Sequence, residues 1–375
     1  MADDSFFGQQ SFKILSRPDH TLAAGSINRS FSNRSFGNQL ARPGAGPRTS
    51  CVTKKNANTP HPWLRWVLGF LATTGSIAAS AAADRLNGFD LGGALVPVQA
   101  IHQGGPPKDG IPAIDNPRFV AAGHTNLDAD DRVLGVVRNG VAKAYPVRIL
   151  NWHEVVNDRF GADGVAVTYC PLCRSGVAFL ARAKGQQATF GVSGLLYDNN
   201  VLLYDRETQS LWSQMRHQAV TGPMKGERLE PLPMTHATWG WWRARHPDTL
   251  VLSFDTGVTR DYATDPYGDY ERVPKLHFPI SAVSDRLGVK DVVVGVAIDN
   301  RYKAYPLEAL RKAKTAVNDT LAGRRITLHH DAASGATVVT DTTGNEIPSL
   351  VAYWFAWYAF HPDTEIFAAQ EMDAP

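Results

Sequence analysis

Part of this 375-residue chain is written twice, and any fold proposed for it has to account for both copies. The run Val133–Val137, the pair Asn139-Gly140 and the run Val141–Pro146 recur about 160 positions later as Val292–Ile298, Asp299-Asn300 and Arg301–Pro306. Two short apolar runs around a pair that tolerates positive φ predict a β-hairpin in each copy. Each hairpin leads to a short helix, with Pro146 and Pro306 suited to its first turn. Val156-Asn157-Asp158 then answers Val317-Asn318-Asp319, and a strand at Val165–Tyr169 answers Ile326–His330. Both copies close alike, on Trp239, Trp242 and His246–Thr249 in the first and on Trp354, Trp357 and His361–Thr364 in the second. Thr235 suits the N-cap of a helix running towards His246.

The expected fold is α+β and β-rich, two tandem copies of one β-hairpin/short-helix/strand module with the second shortened. By the closing motif the offset has fallen to about 115, so the second copy lacks about 45 residues, Thr189 to Pro233 of the first. That stretch reads as strands joined by turns. The modules are expected at 131–252 and 291–375, with a linker at 253–290. Residues 84–130, dense in Gly and Pro around Gly104–Pro112, are expected to be an ordered lead-in loop.

Ahead of the modules lies a targeting pattern. No Asp or Glu occurs between Asp19 and Asp84, and Lys54, Lys55 and Arg65 precede an apolar run, residues 66–83, that thins to Ala and Ser. That order is a signal peptide over 52–83, or a membrane anchor through 66–83, and it implies a periplasmic or secreted location. Residues 1–51 carry no periodicity and read as a disordered or untranslated extension, with Val52 an alternative start. Residues 1–83 hold nine of the 38 Lys and Arg but three of the 36 Asp and Glu, leaving 29 against 33 in the remainder. A mildly acidic body without a basic stripe argues against nucleic acid as a partner. The partners this leaves are a small molecule or a protein of the cell envelope.

Comparison of the copies locates the chemistry, because scaffold residues are needed in both and site residues in one. Asn151-Trp152-His153-Glu154 stands where the second copy has Arg311-Lys312-Ala313-Lys314, and Cys170-Pro171-Leu172-Cys173 where it has Asp331-Ala332-Ala333-Ser334. His153 and both cysteines are absent from the copy that lost its insert, which points to one site. Removal of the signal would also remove Cys51, leaving Cys170 and Cys173 as the only thiols.

Several readings stay open. A Cys-Pro-Leu-Cys turn between strands is a metal knuckle, and Cys170, Cys173 and His153 would bind one zinc or copper ion with an open position. Reversible thiol redox is the second reading, although Arg174, Ser175 and Gly176 start a helix poorly and thioredoxin-like motifs place the first Cys at a helix N-terminus. An inert disulfide in a non-catalytic envelope binding or assembly module is the third. A hydrolase or lyase using His153 and Glu154 as acid and base is the fourth. His153 also has a plain structural role open to it, on a backbone carbonyl. Ser193, Asp198, Asn199, Asp205, Trp212 and Gln214 cluster around the turns of the insert as a candidate substrate-binding wall. Ser193 lacks the glycine two places on that a nucleophile elbow needs. His246 and His361, present in both copies, are assigned to structure.

Asn151–Glu154, Tyr169–Cys173 and Phe190–Tyr197, with Gly105–Pro117, Tyr204–Gln214 and His246–Leu250, closely resemble a microbial family known as domain of unknown function 3179. The resemblance covers about residues 100–368. It implies a protein that is often exported and whose activity is not established. It also implies that Cys170 is the safer site residue, since some members carry Thr at the position of Cys173. Arg174 departs from the glycine that the family commonly has there.

Overall fold

The structure is a computed structural model that describes residues 85–313 and 315–368. The extension, the signal and the anchor expected over residues 1–83 lie outside the described residues. Among those described, the chain is mostly β, with short strands in seven sheets and four seven-residue helices, and no helix is long and apolar enough to cross a membrane.

Both expected hairpins form. Arg132–Arg138 pairs antiparallel with Val141–Pro146, and Val292–Ile298 with Arg301–Pro306. The turn residues Asn139, Gly140, Asp299 and Asn300 all have positive φ, as a two-residue turn between right-twisted strands requires. Pro146 occupies the N-cap of helix α1 (Val147–His153).

Each hairpin is extended the same way. One antiparallel strand, Thr235–Thr238 or Leu350–Tyr353, joins its first strand, and one short parallel strand, Leu250–Leu252 or Glu365–Ile366, joins its second. The antiparallel additions lead into helices α2 (Trp239–Arg245) and α4 (Trp354–Phe360), while α3 (Leu307–Ala313) is the counterpart of α1. Thr235 therefore does not cap a helix. Its segment alternates buried and half-buried residues and is taken up by pairing, so α2 starts three residues later than its sequence suggests.

The Trp, Gly and Thr of the repeated motifs explain one another. Trp242 lies flat on Gly135 and Trp357 on Gly295, so closely that a Cβ at either glycine would fall 2.1 or 2.2 Å from the ring. The indole N–H groups donate to Thr249 and Thr364, each at 2.9 Å. His246 and His361 pack against the same two rings, with centroids 4.1 and 4.3 Å away. Beneath the first hairpin, Lys143 donates to both oxygens of Asp158 at 2.9 and 2.8 Å and Tyr145 donates to the same carboxylate. Lys303, Tyr305 and Asp319 repeat that arrangement in a more exposed setting.

Three-stranded meanders follow α1 and α3: Val155–Phe160, Asp163–Cys170 and Ser175–Leu180 in the first half, Val317–Leu321, Arg324–His330 and Thr337–Asp341 in the second. The first half also carries a sheet with no counterpart, running Gln218–Ala219, Leu211–Ser213, Asn200–Asp205, Phe190–Tyr197 and Ile101–Gln103.

That last strand corrects the expectation for residues 84–130, which are not merely a lead-in loop. Ile101–Gln103 closes the edge of the insert sheet, Phe119–Ala121 closes another, and Phe89, Leu91, Val96 and Ile114 are buried. A strand added to an existing edge needs only two or three residues, too few to show a period in sequence. The main core runs without a break from Cys170, Cys173, Phe179 and Phe190 to Trp212, Trp354 and Trp357, so both halves share one interior.

Candidate functional site

Cys170 ends one strand of the first meander and Ser175 starts the next, so Cys170–Cys173 is the bend of a β-hairpin and not the start of a helix. Arg174 completes the bend at φ 55°, a left-handed conformation that a residue without a Cβ adopts most easily. Both cysteines are free thiols and buried. They point to one atom: Cys170 Sγ lies 3.6 Å and Cys173 Sγ 3.3 Å from the carbonyl oxygen of Asn199. Burial, then a hydrogen bond from the Cys173 thiol to Cys170 and the proximity of Cys170, push the Cys173 thiol well above its ordinary pKa. Cys173 therefore favours its protonated form.

Asn199 is fixed in turn. It adopts φ 61°, its side-chain amide donates to the Phe278 carbonyl at 2.7 Å, and its amide oxygen accepts from the Phe278 N–H at 3.0 Å. Asp198 holds the same segment through Ser281 N and Oγ at 2.6 and 2.9 Å. The stretch 253–290, expected as a linker, thus lies across the thiol turn. Tyr270 from this stretch donates to the Leu172 carbonyl at 3.1 Å, and the turn is held from the other half by Tyr353 N–H on the Cys173 carbonyl at 2.9 Å.

Glu154 follows the last residue of α1 and takes φ 58°, a strained conformation for a residue with a side chain. Its N–H bonds Leu150 and its carbonyl accepts from Tyr169, one residue before Cys170, which ties the helix end to the thiol strand. The carboxyl is buried and has one hydrogen-bond partner, the Tyr267 hydroxyl at 2.9 Å. Burial raises its pKa to about 7, with the Tyr267 hydrogen bond pulling the other way. Tyr267 itself is driven up by burial, then by the charges of Glu154 and Cys170, so it lies within electrostatic reach of both.

Glu154 and Tyr267 line a cavity of about 550 Å³. Its wall is largely apolar, with Leu172 from the thiol turn, Leu195 and Leu196 from the insert and Phe278 from the covering segment, and with Arg260, Asn151 and His277 as polar groups. A concave, mostly apolar space with a few polar groups and a titrating carboxyl has the character of a small-molecule site.

His153 is not part of this arrangement. Its Nδ1 lies 2.7 Å from the Pro112 carbonyl and its Nε2 2.7 Å from the Tyr262 hydroxyl, so both ring nitrogens are engaged. Because a carbonyl only accepts, Nδ1 carries the proton and Tyr262 donates to Nε2. Burial lowers the His153 pKa and keeps the ring neutral. Among the described residues no three His, Cys, Asp or Glu side chains gather as metal ligands, so the structure does not bring His153 to Cys170 and Cys173.

The polar residues expected as a substrate wall do not line the cavity either. Ser193 donates to the Leu202 carbonyl and accepts from Leu195 N–H, closing a bulge in its strand. Asp205 accepts from Thr208 and from the Trp212 indole at 2.8 Å. Gln214 bonds Ser175, Asn200 and Thr168 behind the thiol hairpin. Asp198 and Asn199 are spent on the covering segment. Tyr262, Tyr267, Tyr270 and Arg260 were missed, and the signal available was the density of aromatic residues in a stretch that lacked any apolar period.

Residues 108–364, which include Glu154, the thiol turn and Tyr267, match the model of a family described as a protein of unknown function, DUF3179. The chain belongs to this family. No curated protein and no solved structure matches it. Within DUF3179 the glycine implied at position 174 now has a physical reason, since the hairpin bend needs positive φ there and this chain meets the need with an arginine.

Proposed function

We propose that this DUF3179 protein is a thiol-redox protein in which Cys170 and Cys173 cycle between a dithiol and a disulfide, acting on a small disulfide that enters the cavity beside Leu172. The observation that carries the reading is the placement of two free thiols of one turn on a single carbonyl, that of Asn199. With both sulfurs buried, a low-molecular-weight disulfide suits the site better than a protein disulfide. Cys170, the less buried of the two, attacks one sulfur of the substrate, forming a mixed disulfide and releasing the first substrate thiol. Cys173 then attacks Cys170 Sγ and releases the second thiol, so the substrate gains two electrons and two protons and the protein loses both. In this reading Glu154, near its midpoint at neutral pH and hydrogen-bonded to Tyr267, which feels the Cys170 charge, holds a proton released by Cys170.

Among the described residues a zinc or copper ion would find two sulfurs here and no third ligating side chain, which favours the redox reading over the metal one. The recurrent pairing of the two halves supports a duplication with a second, shortened copy that carries no site. An extracytoplasmic location, with a small molecule or an envelope protein as partner, belongs to the same proposal and rests on the targeting pattern before residue 84.

The test is to incubate the native full chain with oxidised glutathione and measure its mass and thiol count. The reading expects loss of two hydrogens and both thiols, reversal by dithiothreitol, and a trapped mixed disulfide on Cys170 in Cys173→Ser. Thiols that react only after unfolding would sink it and leave a non-catalytic binding module in its place. A second reading, an acid–base enzyme, is favoured by the titration of Glu154 near neutrality inside the cavity; it assigns no role to His153, whose nitrogens are engaged.

A further inference from the structure

Where the two halves face each other, a cleft of about 170 Å³ is lined by Arg132, Arg174 and His236 of the first half and by Arg311 and Ser334 of the second. Its charge is unbalanced. Arg132 and Arg174 both reach the same oxygen of one carboxylate, Glu271 Oε1, so two guanidinium groups share a single negative charge. Among the described residues Arg311 pairs with Glu308 of its own helix, 3.7 Å away and 68% exposed, a pair that solvent largely screens. The nearby Asp331 carboxylate is committed to the Ser334 N–H and hydroxyl at 2.8 and 2.6 Å.

We propose that this cleft binds a small multivalent oxyanion between the two halves. Guanidinium groups present a planar fork of donors that matches a phosphate or carboxylate, and three of them line this small space while Glu271, with Asp265 acting on Arg132, serves two and the exposed Glu308 the third. The volume admits one such group and no large molecule. His236 adds a buried ring that packs against the Gly176 backbone. Burial, followed by the Arg174 charge, pushes its pKa down to about 3, so the ring is neutral and does not supply the charge itself. Because the residues come from both halves, an anion held here would pin them together. The inference does not depend on the chemistry of Cys170 and Cys173.

The test is a titration of the full chain by calorimetry and thermal unfolding with inorganic phosphate, and separately with succinate, each against chloride at matched ionic strength. The proposal expects one saturable site for at least one of the two, with a rise in Tm beyond the chloride control. Arg311→Gln, at a half-exposed position that the fold does not rely on, should weaken that binding by about tenfold or more, the worth of one charge-assisted contact. Lys184→Gln, on an exposed surface elsewhere, should leave it unchanged. A preference for phosphate or for succinate identifies which oxyanion the site takes. No effect of either beyond chloride, or equal binding in Arg311→Gln, overturns the proposal.

Discussion

Glu154→Gln should stabilise this protein above neutral pH and leave it unchanged in acid. The carboxyl is 6% exposed and accepts one hydrogen bond, from Tyr267, which the glutamine oxygen also accepts. The substitution therefore changes charge with little change in shape. A carboxyl whose pKa rises from 4.5 when unfolded to about 7 when folded binds its proton more tightly in the native state. Its favourable contribution is complete below pH 4.5 and is lost as pH rises through 7, because the native state must then hold a buried anion. The gap between the two values corresponds to about 3 kcal/mol, an upper figure for a group with one hydrogen bond. Urea unfolding of both proteins at several pH values between 4 and 8.5, with the thiols reduced, reads the difference directly. Coincident curves at pH 4 and a separation approaching about 3 kcal/mol at pH 8.5 are expected. The same separation at both ends would show that Glu154 does not titrate across this range. A variant less stable at pH 8.5 would show that the carboxylate is stabilised in place and that burial is not the dominant effect.

Two further outcomes test the scaffold. Lys143→Met should cost about 3 kcal/mol in chemical denaturation, because it removes the countercharge of Asp158 at 5% side-chain exposure and leaves only the Tyr145 and Arg159 N–H hydrogen bonds; Lys303→Met should cost less, since Asp319 is 18% exposed and can be hydrated. Gly135→Ala should cost about 3 kcal/mol and lower the yield of folded protein, as its methyl group meets a Trp242 ring that the Thr249 hydrogen bond keeps from moving. Thermal unfolding within a degree or so of the parent would contradict the close packing of that pair.

The repeated hairpins were legible because their constraints are local and doubled: a turn that needs positive φ, a strand glycine opposite a tryptophan, and a threonine that satisfies the indole N–H. The thiol turn was legible by its absence from the second half. What the sequence does not contain is direction. Ser193, Asp205 and Gln214 are polar residues in an insert whose strands are buried on both faces, and a buried polar group must find a partner. They find it in Leu202, Thr208 and Ser175, inside the sheet and away from the cavity.

The residues that do wall the cavity are their apolar neighbours, among them Val192, Leu195 and Leu196, which sequence alone assigns to a core. The segment over the thiol turn has no counterpart in the second half and no apolar period, so its sequence carries no local sign of its position. Its order comes from side chains outside it, since Asn199 and Asp198 grip its backbone and Tyr262, Tyr267 and Tyr270 reach back to His153, Glu154 and Leu172. The insert and this covering segment therefore depend on each other: without the insert, nothing at Asn199 holds the cover, and without the cover, Glu154 is open to water and has no reason to titrate near neutrality. On that argument the insert, the cysteines and the glutamate, none of which has a counterpart in the second half, form one interdependent unit.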